Sequence, residues 1–156
     1  PALINAGVPE PAAHMFLFYY AVLGDVSPPT ALAPFAAAAI TGAKPFETMG
    51  QAWKYCLPAF IAPFMFCLSP DGMGLLLEAS WVTNVQALST DVVGVVALAG
   101  AFGGWVLARA VLWERLGLGA AGLALLYAGD LADVAGFALG LAVLAAHWVR
   151  VRAANP

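Results

Sequence analysis

The residues best suited to chemistry sit together at Gly24-Asp25-Val26-Ser27-Pro28-Pro29-Thr30, between an apolar, aromatic run from Ala12 to Leu23 and an Ala-rich run from Ala31 to Ile40. Pro28 and Pro29 lack an N–H, their rings clash with the preceding turn, and each pushes its predecessor out of the α region. The chain therefore unwinds near Gly24 to Ser27, freeing backbone carbonyls where the side chains add only oxygen. A hard cation takes such ligands. Ser27 reads as an N-cap and Pro28 as the first position of a restarted helix, whose free N–H groups and partial positive charge favour an anion. In lipid, unwound backbone is tolerated only where protein buries it or where it lines a wet cavity, and helices interrupted in this way frame ion and substrate sites. The competing reading is a surface turn joining two short interfacial helices, with Asp25 at a boundary.

The elements that must hold this stretch are dictated by composition. Hydrophobic residues make up 63% of the chain and charged ones 10%, against about 45–50% and about 25% in soluble domains. Six basic and nine acidic residues fall in small groups separated by long uncharged runs, the pattern of a chain whose solvent is lipid. The expected class is all-α: a polytopic transmembrane helical bundle with a discontinuous helix. Six basic residues cannot build a clustered cationic surface, which excludes nucleic acid as a partner. Cys56 and Cys67 lie in one expected helix, roughly 16 Å apart at the helical rise and too far for a disulfide. The sequence begins at Pro1 without a Met or a basic-then-apolar leader, and reads as a fragment of a longer protein.

Window lengths predict a broken helix over 12–42 and a single crossing over 51–68, together forming a first region, 1–77. A second region, 78–156, is expected to hold a helix over 90–113 and a helical hairpin over 116–149, either re-entrant or made of two short spans, turning at Tyr127 to Asp133. Short-loop charge places Lys44, Lys54, Arg109, Arg115, Arg150 and Arg152 inside, with a loop carrying Asp71, Glu78 and Asp91 outside. Trp113, Trp148, Trp53 and Tyr55 stand beside basic residues as interface anchors, and the spacings Gly100/Gly104 and Gly136/Gly140 suit close helix packing.

Other residues have weaker claims. Asp130 and Asp133 are one helical turn apart, and a carboxylate pair in a membrane can relay protons or bind a cation. The stronger reading makes Asp130 an N-cap and sets Asp133 near the positive end of the same helix. Pro58 and Pro63 are expected to kink the third helix without making a site. His14 and His147 read as interface residues, and no nucleophile with a base, metal-ligand spacing or phosphate loop is present.

The segments Ala13-His-Met-Phe-Leu-Phe-Tyr-Tyr20, Gly24-Asp-Val-Ser-Pro-Pro-Thr30 and Pro58-Ala-Phe-Ile-Ala-Pro-Phe-Met-Phe66 resemble the large membrane subunit of tripartite ATP-independent periplasmic (TRAP) transporters, in its fused form that works with TAXI-type binding proteins. The similarity covers roughly 1–77, and the tail from Val92 looks like the extra C-terminal region of such fused forms. This resemblance implies a permease of the bacterial inner membrane, the rest of whose chain lies upstream. It implies secondary active uptake of an organic acid, driven by a sodium or proton gradient after delivery by a periplasmic TAXI-type solute-binding protein. It also implies a sodium and substrate site over Gly24, Asp25, Val26, Ser27, Pro28, Pro29 and Thr30. Gly24 and Val26 would offer carbonyls and Ser27 a hydroxyl to sodium, the coupling ion, with no other cofactor. The family more often has Thr where this chain has Ser27.

Two other classes compete. An intramembrane enzyme needs His14, Asp25 or the Asp130/Asp133 pair to converge, and a structural or assembly subunit needs the break to be only a loop.

Overall fold

The computed structural model describes residues 2–68, 80–127 and 129–154, and among these every regular segment is a helix. In order they are α1 (Ala2–Asn5), α2 (Glu10–Leu23), a 3-10 turn (Gly24–Val26), α3 (Leu32–Thr41), α4 (Pro45–Ile61), α5 (Pro63–Leu68), α6 (Trp81–Gly103), α7 (Leu112–Leu126) and α8 (Asp130–Ala154). The chain divides into two units, Pro1–Cys67 and Leu68–Pro156. The expected boundary at 77/78, the acidic loop residues Asp71 and Glu78, and Ala128 at the expected hairpin turn lie outside the described residues.

In the first unit, α3 ends where Gly42 takes φ 69° and the Ala43 N–H reaches back to the Ala38 carbonyl. This left-handed cap suits a residue without Cβ. It turns the chain at once into α4, which Pro45 opens at a position where no N–H is missed. The resulting α3–α4 hairpin closes with Phe35 edge-on to Phe46, ring centroids 5.7 Å apart. The crossing expected over 51–68 differs in two ways. Helix starts six residues earlier, opened by Pro45 at its first position, and Lys44 belongs to the start of this helix, paired with Glu47 at 2.8 Å, rather than marking a loop. Pro58 stays inside α4, whereas the break comes at Ala62, where Pro63 can offer no N–H to continue the ladder.

In the second unit, α6, α7 and α8 pack in sequence, and glycines set their spacing. A Cβ on Gly122 would lie 2.8 Å from the Gly94 carbonyl oxygen, one on Gly117 2.6 Å from Val143, and one on Gly136 2.7 Å from Leu125. Backbones this close are the usual means of association where lipid removes the hydrophobic drive between helices. Gly136 thus packs as its spacing suggested. Gly104 does not: at φ 72° it ends α6 and turns the chain.

The helix expected over 90–113 occupies 81–103. Its start was hidden by Thr83, Asn84, Gln86, Ser89, Thr90 and Asp91, which made an amphipathic first half look like loop. Its end comes early because residues 104–111 fold into a tight excursion, with a bridge pairing Trp105 and Arg109 and the Ala110 N–H donating to the Gly104 carbonyl. Asp91, expected in an outer loop, is therefore a buried residue in the middle of a helix. Among the described residues two stretches, Asn84–Gly103 and Asp130–Ala154, are long and apolar enough to cross a membrane. By contrast α7, at about 22 Å for its length, falls short of a hydrocarbon core of about 30 Å.

Candidate functional site

The break between α2 and α3 runs from Gly24 to Ala31, and it is more than an unwound gap. Gly24 to Val26 tighten into a single 3-10 turn, after which Ser27 swings to φ −93°, ψ 129°, the extended form that a following proline imposes. The helix restarts at Leu32, four residues later than the position expected for Pro28, and Ala31 rather than Ser27 occupies the cap. The reason lies in the pair of prolines. Pro29 keeps Pro28 out of the α region just as Pro28 does Ser27, so helical geometry cannot begin until the chain is past both. No side chain caps α3. Pro34 has no N–H, which leaves those of Leu32 and Ala33 as the free donors of the first turn.

Three of the seven candidate residues come together here. The Thr30 hydroxyl lies 3.2 Å from the Gly24 carbonyl oxygen and 3.3 Å from that of Ser27. The Ser27 N–H donates to Gly24 O at 3.3 Å, and the Thr30 N–H to Ser27 O at 3.1 Å. A hydroxyl has one proton, so Thr30 can satisfy only one carbonyl at a time. The hydroxyl oxygen keeps its own lone pairs, and one more stays available on whichever carbonyl the hydroxyl is not engaging. The Val26 carbonyl and the Ser27 hydroxyl take no part in these bonds. Asp25, Pro28, Pro29 and Thr30 are exposed, while Gly24, Val26 and Ser27 are half-buried.

Around the break, α2 is tied to α4 and α5 by aromatic contacts. Phe16 meets Phe64 edge-on at 5.4 Å, Tyr20 lies 6.1 Å from Phe60, and the Tyr20 hydroxyl donates to the Phe60 carbonyl. The 3-10 turn itself touches α3 and α4 as well as α2. His14 stays apart, exposed on α2 and 3.5 Å from Glu10.

Sequence reasoning missed a second polar centre, built on Glu114 in the second unit. Glu114 is 0% exposed and His147 1%. Glu114 Oε2 accepts from the Val111 N–H at 2.9 Å, in the manner of a capping-box glutamate. Its two oxygens receive a fork from Arg150, whose Nε lies 2.8 Å from Oε1 and whose terminal nitrogen lies 2.9 Å from Oε2. His147 Nδ1 lies 2.9 Å from Oε2, and the Ala108 N–H points at Nε2 from 3.4 Å. An N–H donating to Nε2 needs a lone pair there, so the proton belongs on Nδ1, aimed at the carboxylate. Glu114 precedes the apolar run from Leu116. The Arg150 guanidinium holds its carboxyl well below the usual range, at about 2, with His147 and the Val111 N–H acting in the same direction against desolvation.

Arg150 also donates to the Arg109 carbonyl at 3.0 Å, and Arg115 caps the end of α6 by donating to Ala101 O at 2.8 Å. The basic residues expected at one interface thus do gather at one end of this unit. The signal for the centre was available: His147 and Arg150, at i and i+3, share a helix face, and Glu114 is the lone acid between Arg109 and Arg115.

The described residues are thus all-α, with a discontinuous helix in the first unit and, in the second, two helices long and apolar enough to cross a membrane. Residues 1–71 match the family model described as the tripartite ATP-independent periplasmic transporter, DctM component. No curated protein and no solved structure matches the chain.

Proposed function

We propose that this chain is a segment of the membrane permease of a TRAP-type secondary active transporter, a multi-pass protein of the bacterial inner membrane. It takes up an organic acid with a sodium gradient after delivery by a periplasmic solute-binding protein of the TAXI type. The observation that carries the reading is the interrupted helix at Gly24–Ala31, lying wholly inside the stretch that resembles the DctM component. In this reading Gly24 O, Ser27 O and the Thr30 hydroxyl hold sodium, with Val26 and the Ser27 hydroxyl close by. Asp25 and the prolines shape the turn, and the N–H groups of Leu32 and Ala33 face the substrate carboxylate. The convergence of Thr30 on two carbonyls supports it, because oxygen ligands for a cation must first be gathered.

The test is sodium-driven uptake by the full-length permease in proteoliposomes with its binding protein. Thr30→Val keeps the shape and removes the hydroxyl. It is expected to lower apparent sodium affinity at least tenfold, with insertion unchanged, and Ser27→Ala to do so less. Unchanged sodium dependence in both would remove the break from the coupling site.

A further inference from the structure

The second unit carries a buried carboxylate that none of its packing explains. Asp91 lies about 10 Å into the span that begins at Asn84. It is 6% exposed, and its Oδ1 is buried without a hydrogen-bond partner among the described residues. Two turns earlier on the same face, Asn84 is 8% exposed, and its Oδ1 is likewise without a partner. Orphaned buried oxygens are rare because each costs its full desolvation, and an acid inside a membrane is functional by default.

Packing sets the level at which Asp91 lies. Gly94, one turn on, meets the side chain of Leu125, and so does Gly136 on α8. Asp91 and Asp133 each lie one turn before these glycines, which puts them at the same level beyond the end of α7 on two helices that share Leu125. Asp130 is exposed and is the first residue of α8 rather than its cap, so the sequence pair Asp130/Asp133 gives way to Asp91/Asp133. From α7 only Tyr127, exposed, is titratable near this level. Among the described residues Arg109, Arg115, Arg150 and Arg152 lie at the opposite end of the unit, and no lysine belongs to it.

A buried carboxylate with an unpaired oxygen, at the level of a second acid on the neighbouring helix and with the unit's arginines at its far end, is costly to keep charged and empty. We propose that Asp91 and Asp133 hold a monovalent cation, a proton or an alkali-metal ion, between α6 and α8. No third His, Cys, Asp or Glu joins the pair among the described residues, which is too few ligands for a divalent metal. This site is distinct from Gly24–Thr30 and does not depend on that reading.

The test uses the purified full-length permease in detergent. Equilibrium radiosodium binding is measured, together with the protons bound and released on titration of the purified protein through the carboxylate range and above it. Asp91→Asn is expected to lose one cation equivalent per chain in one of these two arms, which names the ion, and Asp133→Asn to lose the same equivalent. Asp130→Asn changes neither arm. If both Asp91→Asn and Asp133→Asn elute as monodisperse protein and keep wild-type sodium and proton binding, the proposal is overturned. Thr30→Val run alongside separates its failure from failure of the transport reading.

Discussion

The break at Gly24–Ala31 and the Glu114 centre both place polar groups in apolar surroundings, yet they are built oppositely. At Glu114, both carboxylate oxygens are paired, both imidazole nitrogens have partners and the acid is fully buried. At the break, one hydroxyl is shared by two carbonyls, and much of the segment is exposed. A satisfied network rigidifies, whereas an unsatisfied one keeps capacity for something to bind. The first fastens α7, α8 and the 104–111 excursion together; the second leaves oxygen free.

The sharpest way to break this contrast is to remove Glu114. Glu114→Ala strands the His147 and Arg150 partners and is expected to cost about 3 kcal/mol, at the low end for buried pairs because the Arg150 side chain is 38% exposed. Unfolding of the purified protein in detergent checks it, and a loss under about 1 kcal/mol would make the network decorative. Next in size is Gly122→Ala, whose new methyl would lie 2.7 Å from the buried Leu98 side chain and 2.8 Å from the Gly94 carbonyl, a backbone atom that cannot swing aside. About 2 kcal/mol of destabilisation is expected from overpacking. Thr30→Val should barely register on the same assay, within about 0.5 kcal/mol, because its hydroxyl is exposed. A large loss there would turn the break from a binding device into a fastening.

How much of this was legible depends on whether a feature is local. The break could be read from Pro28 and Pro29, since proline acts on its own neighbours. Its exact restart could not, because Pro28 alone suits N1 and only the constraint that Pro29 puts on Pro28 moves the start to Leu32. The hairpin class of the C-terminal end followed from charge at both ends of an apolar stretch. Asp91 was misplaced because a polar helix face and a loop look alike until α7 and α8 cover that face. Glu114 was overlooked for the complementary reason: its partners lie 33 and 36 residues away, and nothing short of the α7–α8 pairing brings them together.

The smallest expected effect concerns acid. Because Arg150 and His147 hold the folded Glu114 carboxyl at about 2, below the value near 4 of an unfolded glutamate, the carboxylate favours folding wherever it is charged in both states. Its contribution is therefore complete above about pH 4 and is lost as pH falls from there through about 2. The difference in Tm between wild type and Glu114→Gln should stay flat from pH 8 to 5 and shrink toward pH 3. A difference that changes instead between pH 8 and 5 would show that another group carries the pH dependence. The contrast with the break would then rest on its packing rather than on its charge.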